Sequence, residues 1–242
     1  ALKSTGLPKN RIIGMGGALD SSRFRTYLSL ALDKPANDIS AMVIGGHGDT
    51  TMIPLTRLAS YNGIPVSQFL SEEELQKVAA DTMVGGATLT GLLGTSAWYA
   101  PGASVAFLVD SILNDQKKMI ACSVFVEGEY GQDDICIGVP CIIGKNGVEE
   151  ILDIKLNDQE KALADYSTAI QLNSNFADAY YNRGLTYYKL NQTKEAIAHA
   201  QAAGVEQRAA GGGPGLHRVR RGSARRRDRG SAGGGVGGEA VR

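Results

Sequence analysis

An α+β fold is predicted for the first two-thirds of the chain. Helical stretches interrupt an early strand, and three closely spaced β runs then close the region as an antiparallel meander. A change of period near residue 158 predicts an all-α helical-repeat segment. The glycine- and arginine-rich text from residue 204 predicts a disordered tail. The expected division is therefore 1–157, 158–203 and 204–242.

Each element has a local cause. Arg11-Ile12-Ile13 is a short apolar strand candidate, and Ala18–Leu32 carries Phe24, Tyr27, Leu28, Ala31 and Leu32 at the spacing of one helical face. Ala41–Gly45 reads as an apolar strand running into glycines. Ser71 opens a helix, with Glu74 three residues on as the reciprocal half of a capping box. A second helical stretch covers Ala87–Leu93. A third follows Pro101 and carries Val105, Phe107, Leu108, Ile112 and Leu113. The β runs are Met119–Val126, Ile135–Ile143 and Gly147–Ile154, the last two joined as a hairpin by Lys145-Asn146-Gly147.

Beyond residue 157 the pattern changes. Ala162 and Ala196 lie one tetratricopeptide period apart, and Tyr180, Gly184, Tyr187 and Ala196 fall at that repeat's offsets. Ala162, Tyr166 and Ala169 occupy the later offsets of a preceding repeat, and Asn173-Ser174-Asn175 is the turn between the two. Small residues let paired helices approach, and aromatics fill the groove between them. One and a half repeats fall short of a self-sufficient solenoid, so the segment needs an apolar partner surface.

Hydrophobic residues make up 43% and charged residues 21%, ordinary for a globular chain, and no apolar run is long enough to span a bilayer. The net charge of zero conceals an asymmetry. The tail holds nine arginines against three acidic residues, about +6, so the remainder is about −6. The tail reads as a solvated end in preference to a nucleic-acid-binding arm. Cys122, Cys136 and Cys141 are odd in number and lack CxxC spacing, which excludes a zinc knuckle and predicts buried free thiols in a reducing, cytoplasmic setting. His47 and Asp49 alone do not make a metal site, and none is expected.

The chemistry concentrates in two segments. Gly45-Gly46-His47-Gly48-Asp49 sets an imidazole in a glycine-lined turn after a strand. Leu19-Asp20-Ser21-Ser22-Arg23 sets a carboxylate and a guanidinium three residues apart, on one face of a helix. Dehydrogenation of a 2-hydroxy acid needs a group to take the hydroxyl proton, and a neutral imidazole suits it. His47 is the candidate general base, Asp20 its orienting partner, and Arg23 the fork that grips a substrate carboxylate. Gly14-Met15-Gly16-Gly17-Ala18-Leu19 begins like a phosphate-binding glycine fingerprint. Leu19 stands at its final glycine position and no acidic strand end follows, so it is rejected as a phosphate cradle.

With these residues in view, 1 to about 160 resemble the C-terminal catalytic part of the lactate-dehydrogenase-like malate dehydrogenases of bacteria. The matching text includes Arg11–Met15, Leu19–Arg25, Gly45–Thr50, Met52–Leu55, Gly85–Ala87 and Ala97–Pro101. The resemblance implies His47 and Asp20 as catalytic residues, with Arg23, Thr95 and Ser96 in substrate binding. It also implies NAD as cofactor and a dicarboxylate, malate, as substrate. The family's dinucleotide-binding half and its mobile substrate loop have no counterpart in this text, so the cofactor-binding residues stay unassigned and turnover by the chain alone is expected to be negligible. Helix 158–172 is expected to substitute for the family's final helix. A homo-oligomer, and a protein partner for the repeat helices on a passive dehydrogenase scaffold, remain open alternatives.

Overall fold

Two hydrophobic clusters, one around Phe24, Leu28 and Val43 and the other around Cys122, Val139 and Ile143, account for the architecture. The computed structural model describes residues 1–190 and 193–204. The expected disorder of 204–242 therefore falls, from residue 205 on, outside the described residues. In chain order the elements are α1 (Leu2–Thr5), α2 (Gly16–Leu32), β1 (Ile39–Ser40), β2 (Val43–Gly45), β3 (Met52–Pro54), β4 (Ser60–Tyr61) and β5 (Ile64–Pro65). There follow α3 (Glu72–Leu93), α4 (Tyr99–Leu113), β6 (Lys118–Glu127), β7 (Asp133–Gly144), β8 (Gly147–Ile151), α5 (Asp158–Leu172), α6 (Ala177–Lys189) and α7 (Thr193–Ala202).

Strands β1, β4 and β5 form a small separate sheet. The larger sheet runs β3-β2-β7-β6, with β8 also on β7, and every pairing in it is antiparallel. The α+β expectation holds. β7 is the spine of this sheet: β6 takes one edge, while β2 (Gly45 opposite Gly138) and β8 (from Cys141) share the other. A Cβ on Gly138 would sit 2.7 Å from the Gly45 carbonyl oxygen, so only glycine lets the two backbones meet. That contact fixes where β2 ends and the His47 loop begins.

Helix α2 lies across the sheet. Phe24 and Leu28 on its inner face are fully buried with Val43, Met52 and Leu55, and each such side chain contributes about 2 kcal/mol of transfer free energy. Alternate residues of β6 and β7, among them Cys122, Val126, Val139 and Ile143, build the second cluster. Cys122 and Cys141 are buried free thiols there, and burial pushes the Cys141 thiol up to about 12. Cys136 departs from the expectation: it is exposed.

Several boundaries differ from the sequence reading for physical reasons. Arg11–Ile13 is not a strand: Pro8 leads into a 3-10 turn, Lys9–Arg11, and only Gly14 bridges to Ser123. Ala87–Leu93 is not a separate helix but the end of the 22-residue α3, which runs unbroken through Gly85-Gly86. Each of these glycines costs the helix about 1 kcal/mol, but tertiary packing needs their missing side chains. Its N-terminus carries the expected Ser71–Glu74 capping box. α4 begins two residues before Pro101, which therefore sits in the first turn where no N–H is required. The face of α4 is also unexpected. Ser104, Leu108 and Ser111 are buried, with the Ser111 hydroxyl donating to the Ile143 carbonyl at 3.0 Å, whereas Val105, Phe107 and Leu113 point outward. Small serines allow close approach to the sheet and turn the apolar stripe away from it. The β7–β8 hairpin forms as expected, with Gly147 at φ +88 completing it, and β8 stops at Ile151.

The repeat helices are joined to this body by packing. Asn157 and Glu160 cap α5 reciprocally, and Arg57 grips the Glu160 carboxylate through two hydrogen bonds, 2.9 and 3.2 Å. Leu163 from α5 and Tyr187 from α6 enter the same cluster as Phe24 and Leu28. α6 and α7 approach closely because Gly184 has no Cβ: one placed there would sit 3.2 Å from the Ala196 carbonyl oxygen. Among the described residues no helix is long and apolar enough to cross a membrane.

Candidate active site

The site is assembled where the N-terminal part of α2 passes beneath the end of β2. Asp20 sits one turn into α2, is only 1% exposed, and has both oxygens engaged. Oδ1 accepts from Arg23 Nη1 at 2.9 Å, the pairing expected of an i, i+3 spacing. Oδ2 meets His47 Nδ1 at 2.7 Å. A carboxylate can only accept, so Nδ1 carries the proton and Nε2 of the neutral ring carries the lone pair. The ring is half-exposed, which leaves Nε2 open to a ligand. Its pKa is raised above the ordinary imidazole value, chiefly by the hydrogen bond it donates to Asp20, with burial opposing.

Glycines make these approaches possible. A Cβ on Gly16 would sit 2.8 Å from His47 Cγ, and one on Gly17 would sit 2.7 Å from the Ala121 carbonyl oxygen. Gly45, at φ +86, turns the chain out of β2 into the loop. Arg23 lies along Gly85 and Gly86 of α3, where a Cβ at Gly85 would fall 2.7 Å from Arg23 Cδ. The two glycines just before the expected Ala87–Leu93 stretch thus form the bed of the guanidinium. Among the described residues Asp20 is the only acceptor Arg23 finds, so the rest of its fork is left for a ligand.

The structure brings together three of the five sequence candidates. A cavity of about 60 Å³ is lined by Gly16, Asp20, Gly46, His47, Ser123 and Cys136, among others. Arg23 stands beside this cavity through Asp20 and is not part of its lining, whereas Thr95 and Ser96 lie elsewhere, exposed in the segment after the Gly94 cap of α3. Sequence reasoning missed two hydroxyls that frame the site. Ser21 Oγ accepts from the Val43 N–H at 3.0 Å, bolting α2 to β2, and Thr51 Oγ1 bonds Gly48. Ser21 lay inside a motif already singled out. Thr51, three residues after a glycine in a turn, carried a weak signal of a side-chain-closed loop.

The glycine run Gly14–Gly17 does not fit the pyrophosphate of the NAD that the resemblance implies. Gly14 is spent on its bridge to Ser123, and Gly16 and Gly17 are closed off by His47 and Ala121. No space beside these glycines remains for a pyrophosphate. With every pairing of the larger sheet antiparallel, no parallel-strand crevice forms in it among the described residues. Nor do these residues group three His, Cys, Asp or Glu side chains around a metal position.

Comparison with known proteins gives the family. The family model for the lactate/malate dehydrogenase alpha/beta C-terminal domain matches residues 17–180, and a tetratricopeptide repeat model matches residues 166–198. The two overlap in the second half of α5 and the start of α6. The malate dehydrogenase of Flavobacterium frigidimaris is 96% identical over 163 residues, 67% of this chain and 52% of that one. The chain spans about half the length of the curated relatives it matches. Among solved structures, malate dehydrogenase from Cryptosporidium parvum superposes with a TM-score of 0.68 at 39% identity, covering 71% of this chain and 56% of that one. Lactate dehydrogenase from Eimeria maxima, solved with NADH and oxamate, does so with a TM-score of 0.68 at 34% identity, covering 85% and 60%. Through the domain built around His47, Asp20 and Arg23, the chain belongs to the lactate/malate dehydrogenase family.

Proposed function

We propose that residues 1–157 carry the substrate half of an NAD-dependent malate dehydrogenase. The observation that supports this most is the shared Asp20 carboxylate, with an imidazole on one oxygen and a guanidinium on the other. In this reading His47 Nε2 takes the hydroxyl proton of malate, and NAD, when bound, would supply the acceptor for the hydride leaving the same carbon. Asp20 holds the ring in the required tautomer and stabilises the imidazolium that forms. Arg23 binds a malate carboxylate through the N–H groups that Asp20 leaves unused. In the reverse direction the same imidazole returns the proton to oxaloacetate. Thr95 and Ser96 remain substrate-side residues only by resemblance. NAD is carried over from the resemblance to the family, and with Gly14–Gly17 closed to a pyrophosphate, turnover by the chain alone should be negligible.

Malate should perturb the NMR signals of His47 and the Arg23 guanidinium at about millimolar concentration, and Arg23→Ala should abolish the effect. NADH formation from malate and NAD by the purified chain, lost on His47→Asn, would overturn the proposed inactivity. Malate that perturbs neither residue would count against the substrate assignment.

The repeat match over residues 166–198 supports a second reading, a protein-interaction module on a passive scaffold. Tyr187 is buried and cannot itself touch a partner, whereas Phe176 and Tyr188 are exposed. We further divide the chain at 157/158 and 203/204, the second boundary resting on composition. The free thiols support a reducing, cytoplasmic setting.

A further inference from the structure

Four consecutive residues that carry the imidazole, His47 to Thr50, are exposed, and the loop around them holds Gly45, Gly46 and Gly48. Such a segment has many conformations open to it, and nothing in its composition fixes one. Yet His47 reaches a buried carboxylate at 2.7 Å. We propose that Thr51 is the positioning residue for His47: its hydroxyl clasps the peptide group that follows the histidine and holds the ring against Asp20. The inference rests on the reading of His47 as the proton acceptor.

Thr51 is buried and directly precedes β3, so its own place is fixed by the sheet. Its Oγ1 accepts from the Gly48 N–H at 3.0 Å and donates to the Gly48 carbonyl at 3.2 Å. Its backbone closes the same loop from both sides. Thr51 N donates to the Gly48 carbonyl at 2.8 Å, and Gly46 N donates to the Thr51 carbonyl at 2.9 Å. A Cβ at Gly48 would already sit 3.2 Å from Oγ1, so the clasp is closed tightly over that glycine. The Gly48 amide is one peptide unit from the His47 side chain. Releasing it frees the loop to swing the ring away from Asp20. The charged groups acting on the ring are Asp20 and Arg23 from α2 and Asp49 from the loop itself.

The test is a pH titration of the His47 ring by NMR in the full chain, with the signal assigned through His47→Gln. The wild type should titrate above the ordinary imidazole value of about 6.5. Thr51→Val keeps the shape and removes the hydroxyl, and should bring the titration down toward that value. Thr51→Ser keeps the hydroxyl and should restore the wild-type curve. If wild type and Thr51→Val titrate alike, the positioning role is wrong while the His47–Asp20 pair stands. If the wild type itself titrates at the ordinary value, the pairing and the reading built on it fail together. Should Thr51→Val not fold, hydrogen exchange at the Gly48 amide decides between the two. Protection in wild type and Thr51→Ser supports the clasp, and exchange at the free-peptide rate overturns it.

Discussion

The chain holds two clusters built from the same pair of side chains, a histidine and an arginine, and they behave in opposite ways. In the dehydrogenase region, a buried carboxylate stands between His47 and Arg23 and satisfies both. In the repeat region, Arg183 is fully buried and bonds Ser167 Oγ at 3.1 Å and, more weakly, His199 Nδ1 at 3.5 Å, its Nε finding no partner among the described residues. The carboxylate is what differs. With Asp20, the imidazole is raised in pKa and poised to take a proton. Without one, burial and the neighbouring guanidinium depress His199 to about 4, and it stacks on Tyr187 at 5.0 Å as a neutral packing element. Identical residue types thus give an imidazole with raised proton affinity in one place and a neutral filler in the other.

The comparison breaks most severely by removing the carboxylate. Asp20→Ala leaves Arg23 facing an imidazole with no shared acceptor and should cost about 3 kcal/mol, read as a lower urea midpoint at unchanged slope. The His47 ring in this variant should titrate near the ordinary value. The converse change adds a carboxylate to the second cluster. One repeat period before His199 stands Asp165, so His199→Asp restores to the later position what the earlier one already has. It should be more stable than His199→Asn by about 1.5 kcal/mol, the scale of a hydrogen bond to a charged group. Equal midpoints for the two variants would show that Arg183 does not reach this position.

The two imidazoles should also tilt the stability of the fold in opposite directions with pH. His199, depressed in the folded state, binds its proton more readily when unfolded. Its contribution is therefore complete above the unfolded value near 6.5 and is lost as pH falls toward about 4. His47, raised in the folded state, contributes fully below the unfolded value, and that contribution is lost as pH rises through the folded one. Being half-exposed, His47 should give the shallower slope. Urea unfolding across pH 4 to 8, repeated with His47→Gln and His199→Gln, separates them: the first should flatten the alkaline side and the second the acidic side.

How legible each cluster was in the sequence follows from where its contacts run. Asp20 and Arg23 are neighbours on one helical turn, and His47 sits in a glycine-rich turn, so local spacing and family likeness together placed all three. Ser167, Arg183 and His199 come from three different helices. Their meeting depends on how α5, α6 and α7 register, and no local pattern encodes that. The same limit explains α4. Its apolar spacing was read correctly as helical, but which face it buries is decided by the serines that approach Ile143. The bed of Arg23 was hidden for a related reason, since it depends on how α3 packs against α2, which the local text around Gly85-Gly86 does not encode. The repeat offsets did carry across: Gly184 and Ala196 meet as small residues should, and Tyr187 fills the groove.

That bed gives the smallest effect and the sharpest contrast with α6. Gly85→Ala and Gly184→Ala each gain helix propensity, about 1 kcal/mol. At Gly85 the added methyl meets Arg23 Cδ at 2.7 Å, in a long side chain that can rotate away. At Gly184 it meets the Ala196 carbonyl oxygen at 3.2 Å, in a neighbouring helix that must shift as a body. Gly85→Ala should therefore change stability by less than about 0.5 kcal/mol while weakening the effect of malate on the Arg23 signal, because the fork is displaced from Asp20. Gly184→Ala should leave that signal untouched and lower the urea midpoint. If Gly85→Ala bound malate like the wild type, the bed would be mere packing, and the guanidinium would owe its position to Asp20 alone.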